Sequence, residues 1–297
     1  MSSEIPEKDR LPRPFRTWKL TVSYDGTGFS GWQVQPGKRT VQGELQRALE
    51  RICGEAPLPQ GSGRPDAGVH ALGQVASFEL ATPIPEESLA RALNRTLPAA
   101  IRVLEARTVR NTFHARHSAM GKTYEYRVFE EEICPPFLAP YVYACPWPLK
   151  LEALNEAASS FVGEHDFMSF AASDPDLTSR RNADEANRRA GFVAKPARGA
   201  TVRTVFSSAW ERHENEFGRL LIYRVRGSGF LHHMVRNLVG TMIEVGRGRR
   251  GADSISAMLA ARNRAAAGPT APAQGLFLDS VEYKDRAFAL ENDQSLF

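Results

Sequence analysis

At 297 residues, with 42% hydrophobic and 24% charged side chains, the chain has the composition of a soluble globular protein and the length for two ordinary domains. No apolar run reaches the ~20 residues of a membrane span. The opening MSSEIPEKDR lacks the apolar core of a signal peptide, so the expected location is the cytoplasm. The formal net charge is only +4, yet arginine outnumbers lysine and clusters at Arg180-Arg181, Arg188-Arg189 and Arg247-Gly248-Arg249-Arg250, a local footprint suited to phosphate. Three cysteines, Cys53, Cys134 and Cys145, form no CxxC pair, which argues against a disulfide framework and a zinc site.

In chain order, residues 1–16 read as a disordered polar tail. Trp18, Leu20, Val22 and Tyr24 then alternate along a half-buried strand that ends in the turn signal Asp25-Gly26. The loop from Phe29 to Pro36 carries Trp32, read as an exposed lid, and Gln33. Val41, Leu45, Ala48, Leu49 and Ile52 recur at helical spacing, and Gly54 closes that helix. A glycine-rich turn around Asp66 leads into a strand to Leu80; a helix from Glu86 to about Leu97 and a strand from Ile101 to Val109 follow. Strand, helix, strand, helix, strand describes an α+β half with helices to cover one sheet face.

The second half has the same order of elements and no detectable sequence repeat. A strand, Gly121 to Phe129, places Tyr124, Tyr126 and Val128 on one face. A Pro-rich loop runs from Cys134 to Pro148, then a helix stripe from Leu151 to Val162. Strands at 202–212 and 219–226, a helix with Val235, Leu238, Val239 and Ile243 inward, a helix at about 253–262, and a strand from Leu276 to Tyr283 complete it. The expected organisation is a domain at 17–115 and a second at 116–297, the latter with a polar, arginine-rich insertion at 173–199.

Few residues here carry chemistry on their own. Asp66 lies in Gly61-Ser-Gly-Arg-Pro-Asp-Ala-Gly-Val-His-Ala71, where glycines permit close backbone approach to a ligand. It is either a turn-stabilising aspartate or a catalytic carboxylate on a rigid scaffold. Tyr124 reads by itself as a core strand residue, Arg236 as a snorkelling arginine, and His165-Asp166 as an unsupported dyad. Gly227-Ser-Gly229 ahead of a helix suggests a weak phosphate cradle. His232-His233, at adjacent helical positions, would face apart and make a poor metal pair.

The blocks taken together are more specific. Tyr24-Asp-Gly-Thr-Gly-Phe-Ser-Gly-Trp-Gln33, Thr40-Val-Gln-Gly43, Gly63 to Ala71, Phe113-His-Ala-Arg116, Lys122-Thr-Tyr-Glu-Tyr126, His165-Asp-Phe167, Gly229 to Gly240 and Ala271-Pro-Ala-Gln-Gly-Leu276 occur in the order of the tRNA pseudouridine synthase A family, which the chain resembles from Trp18 to Tyr283. The resemblance implies two ferredoxin-like (RRM-like) α+β halves whose antiparallel sheets join into one larger sheet, with helices on one face and the active site in a cleft between the halves. It implies isomerisation of uridine to pseudouridine in the tRNA anticodon stem-loop by a homodimer, without cofactor or metal. By residue, it makes Asp66 the catalytic aspartate, Arg64 the loop arginine, Tyr124 the base-stacking tyrosine and Arg236 the arginine that pairs with the aspartate.

That chemistry breaks the N1–C1′ bond, turns the base and rejoins it through C5, exchanging the C5 proton for one on N1. It needs a carboxylate kept ionised in a buried site, and an arginine beside it favours the charged form. Whether the carboxylate attacks C1′, attacks C6 or takes a proton from C2′ is left open. An aromatic under the displaced base contributes about 1–3 kcal/mol by stacking. One departure stands out: Pro65 replaces the family threonine, which removes a hydroxyl and a backbone N–H. Two alternatives to an active isomerase stand beside it: a tRNA-binding module that has lost its chemistry through Pro65, and a nucleoside hydrolase or glycosylase that uses Asp66 to release free uracil.

Overall fold

The computed structural model describes residues 15–172, 201–285 and 288. The tail expected at 1–16 is thus described only at its end, and the insertion expected at 173–199, with its arginine pairs, lies outside the described residues. The chain divides into two compact units, one running to Met120 and taking in the residues from Asp279 onward, the other Gly121–Leu278.

In the first unit, strand β1 (Arg16–Tyr24) buries Trp18, Leu20, Val22 and Tyr24, as their alternation predicts. It pairs antiparallel on both sides, with β3 (His70–Leu80) and β4 (Ile101–Val109), and a two-residue strand β2 (Gln60–Gly61) adds to β3. A central position changes the expected half-burial. Thr17 and Lys19, on the other face, are also buried, at 6% and 7% exposure. The Lys19 ammonium is affordable there because Nζ lies 2.7 Å from Glu105 Oε2 on β4 and 5.1 Å from the Phe288 ring centroid.

Helix α1 (Val41–Cys53) starts at Thr40, whose side chain accepts from the Gly43 N–H, and stops at Gly54, which takes the left-handed conformation at φ 74°. Val41, Leu45, Ala48 and Leu49 form its buried stripe. Helix α2 (Glu86–Thr96) buries Leu89 and Leu93 and is tied to β4 by Asn94, whose side chain donates to the Val103 carbonyl and accepts from the Val103 N–H, each at 2.8 Å. The residues from Asp279 onward also hold to this unit through side chains: the Tyr283 hydroxyl donates to the Ala115 carbonyl at 2.6 Å, and the Tyr283 and Phe288 rings pack on Phe113.

The second unit contains β5 (Ala119–Phe129), β6 (Tyr143–Ala144), α3 (Leu151–Ser159), β7 (Gly163–Asp166), β8 (Val202–Asn215), β9 (Gly218–Gly227), α4 (Met234–Gly246), α5 (Ser254–Ala261) and the start of β10 (Leu276–Tyr283). Strands β5, β9, β8 and β7 pair antiparallel in that order, with β6 parallel to β5. Helix α4 buries Val235, Leu238, Val239 and Ile243, and Trp210 of β8 donates its indole N–H to Met242 Sδ at 3.2 Å. Strand β7 is a finding that periodicity does not reach. Four residues show no pattern, so His165-Asp166, read as an isolated dyad, is the edge of the sheet. Both units are α+β with antiparallel strands, the class expected.

Candidate active site

Main-chain contacts close and clamp the Asp66 loop. The Val69 N–H donates to the Asp66 carbonyl at 3.2 Å, closing a turn in which Gly68 sits at φ 79°, as glycine does at the third position of a type II turn. Asp66 and Arg64 are both half-buried, and Pro65 between them is buried.

Two neighbours hold the loop in place. On one side the chain from Asp25 to Trp32 lies against it: the Trp32 N–H donates to the Pro65 carbonyl at 3.1 Å. Gly31, at φ 85°, lies so near that a Cβ there would meet the Pro65 oxygen at 2.8 Å. On the other side Gln74, wholly buried in β3, reaches back. Its Nε2 donates to the Gly63 carbonyl at 3.1 Å, and its Oε1 accepts from the Ser62 hydroxyl at 2.6 Å. Trp32 is not the exposed lid expected of it. It is 1% exposed and its indole packs on Gly61, where a Cβ would come within 2.6 Å of it. The Arg64–Pro65 bond is trans, and neither residue has a positive φ.

Tyr124 and Arg236 lie in the second unit. Tyr124, half-buried on β5, meets the ring of Phe230 edge-on with centroids 5.1 Å apart. Arg236 is not a snorkelling side chain. Its Nε donates to the Ala271 carbonyl at 2.8 Å while the Ala271 N–H donates to the Arg236 carbonyl at 3.0 Å. It bears on the face of β5 that carries Tyr124. Burial pushes the Tyr126 phenol well above its ordinary pKa, and the Arg236 charge acts against that rise.

The segment that supplies Ala271 is pinned to α4 by side chains. Asn237 Oδ1 accepts from Thr270 Oγ1 at 2.6 Å and from Arg264 NH2 at 3.1 Å, and its Nδ2 donates to the Phe170 carbonyl at 2.7 Å. Gly240 allows the Pro269 carbonyl to lie directly on the helix, where any Cβ would collide with it. The Tyr126 hydroxyl donates to the Pro272 carbonyl at 2.8 Å. Phe230, Asn237 and Ala271 fall inside the blocks quoted above, yet nothing in their residue types announces these tasks.

Two expectations change on the folded chain. The Gly227-Ser-Gly229 stretch is no phosphate cradle, because the Ser228 N–H donates to the Thr204 carbonyl at 2.9 Å and α4 begins only at Met234. His232 and His233 do not face apart. His233 takes a left-handed conformation at φ 58° ahead of the helix, and the two rings stack with centroids 4.0 Å apart. The facing rule holds for helical positions, and these residues form a turn.

Comparison with known proteins bears on the same residues. A family model described as tRNA pseudouridine synthase matches residues 20–118 and 189–284 and so takes in Arg64, Asp66 and Arg236. The tRNA pseudouridine synthase A of Solibacter usitatus is 50% identical over 269 residues, 90% of this chain and 100% of its own length. That of Bacillus pumilus is 44% identical over 89% of this chain and 98% of its own, and that of Maridesulfovibrio salexigens 40% identical over 89% of each. With the model matched across both halves and relatives aligned nearly end to end, this chain belongs to the tRNA pseudouridine synthase family.

Proposed function

We propose that the protein isomerises uridine to pseudouridine in the anticodon stem-loop of tRNA, with Asp66 as the catalytic carboxylate. The observation that carries the reading is the turn that presents Asp66. The turn is closed by a main-chain hydrogen bond and clamped from two sides. Rigid support of this kind is what a reacting group requires, since a 1 Å misplacement costs on the order of 100-fold. The names and coverage of the relatives support tRNA as substrate.

In this reading Asp66 acts as nucleophile or base while the N1–C1′ bond breaks and the C5–C1′ bond forms; the C5 hydrogen leaves as a proton and N1 takes one up, so the product is an isomer. Tyr124 stacks on the base, backed edge-on by Phe230. Arg64 fills the space the base leaves or holds a phosphate, and Arg236 supplies the cation for the carboxylate. The domains proposed are 17–115 and 116–297, the assembly a homodimer and the compartment the cytoplasm. Among the described residues no helix is long and apolar enough to cross a membrane. Pro65 uses only its carbonyl, which any residue would offer, so nothing in the loop favours an impaired binding module.

The test is tritium release from tRNA labelled at uridine C5, for the wild type and Asp66→Asn. Release by the wild type, reduced on the order of 10⁴-fold in the variant with tRNA binding retained, is the expected result. Tight, salt-sensitive binding without release would instead mark a binding module, and free uracil in the mass spectrum a glycosidic hydrolase.

A further inference from the structure

His70 has no part in the roles proposed above, yet it is 1% exposed, opens β3 and stands four residues after Asp66. The Gly26 N–H donates to its Nδ1 at 3.0 Å. The same nitrogen lies 3.2 Å from Asp25 Oδ1, a contact that is favourable only if Nδ1 carries a proton. The amide decides between the two. A backbone N–H keeps its proton, so the nitrogen it points at is an acceptor, and the ring is neutral with its proton on Nε2. Asp25 Oδ1 has donors of its own, the Thr27 N–H at 2.9 Å and the Thr27 hydroxyl at 2.6 Å.

This bond closes the second end of a clasp. At the first end, Gly31 and Trp32 hold Pro65 and Asp66 by main-chain contact. At the second end, Gly26 lies flat against Val69, where a Cβ would run into the Val69 carbonyl, while the Val69 N–H closes the turn on Asp66. This second end runs through a side-chain atom. We infer that His70 is a positioning residue for Asp66: its unprotonated Nδ1 latches the Asp25–Trp32 loop onto the Asp66 turn and sets where the carboxylate is presented. The inference rests on the isomerase reading for its effect on turnover, and not for the latch itself.

The experiment measures tritium release at saturating labelled tRNA, and tRNA binding, for the wild type, His70→Leu and His70→Asn. The asparagine amide oxygen takes the place of Nδ1 as acceptor. His70→Leu is expected to lower kcat on the order of 100-fold while the tRNA Kd stays within about twofold, with His70→Asn recovering at least roughly tenfold of the loss. A leucine variant with undiminished kcat, or an asparagine variant no better than leucine, overturns the positioning role. If the wild type releases no tritium the isomerase reading fails, and the latch is judged separately by long-range ¹H–¹⁵N spectra of protein labelled at histidine. The same spectra decide if the leucine variant does not fold. An unprotonated Nδ1 with a protonated Nε2 on His70 supports the latch, and a proton on Nδ1 overturns it.

Discussion

Main-chain contacts close and clamp the turn at Asp66; around Arg236 side chains orient the site. The aspartate turn is closed by Val69 N–H, held at Pro65 by Trp32 N–H and pressed by Gly31, while Gln74 and His70 contribute one polar side chain on each flank. The arginine sits on a regular helix, and what orients it is the Ala271 carbonyl, delivered by a segment that Asn237, Thr270 and Arg264 tie down. The difference sets how each can fail. A main-chain clamp tolerates changes of side-chain chemistry and breaks when any atom is inserted. A side-chain network can be dismantled one bond at a time, at about 1 kcal/mol for an ordinary bond and more when a buried polar atom is stranded.

The largest effect should come from inserting an atom into the clamp. Gly31→Ala adds a methyl 2.8 Å from the Pro65 oxygen at a φ of 85° that alanine resists, and the loop has to move. Turnover should fall on the order of 100-fold with tRNA affinity nearly unchanged. A variant of wild-type kcat would mean that the clamp does not position Asp66. The matching change on the other side is Gly240→Ala, which drives a methyl into the Pro269 carbonyl. It should destabilise the fold by about 1–3 kcal/mol in urea unfolding as the segment lifts. A smaller loss of turnover than in Gly31→Ala should accompany it, because the segment retains its Thr270 and Arg264 anchors; equal losses would erase the distinction between the two regions.

pH supplies a test confined to the first unit. His114, in the first unit, is held neutral, chiefly by burial and then by the charges of His117 and Arg116, with its pKa lowered from 6.5 to about 4. The unfolded chain therefore takes up a proton that the folded chain refuses as pH falls from 6.5 towards 4. The contribution is complete above pH 6.5 and is lost across that window. The stability difference between wild type and His114→Gln should shrink in favour of the variant over the same range in urea titrations; a constant difference would show that the histidine is not held neutral. The smallest effect is expected from Pro65→Thr. Since the clamp uses only the residue's carbonyl, stability should change by less than about 1 kcal/mol and kcat by less than about threefold. A large gain in turnover would show that proline had impaired the loop.

Much of this was legible in the chain. The alternation of Trp18 to Tyr24, the Gly54 stop of α1, the limits of β4 at Ile101 and Val109, and the last strand from Leu276 to Tyr283 follow from patterns that span only neighbouring residues. Arg64 and Asp66 share a loop for the same reason: they are two residues apart. The ordered blocks carried the family as well. What folding alone decided are relations between distant residues. Lys19 is buried because β1 has partners on both edges, and Trp32 because Gly61 leaves room for an indole. The edge strand Gly163–Asp166 exists only through its pairing with β8. Ala271 meets Arg236 across 35 residues, and His70 meets Gly26 across 44. Periodicity reports which side of an element is apolar; which remote atom will stand opposite depends on register and packing, and those are settled only when the whole core closes.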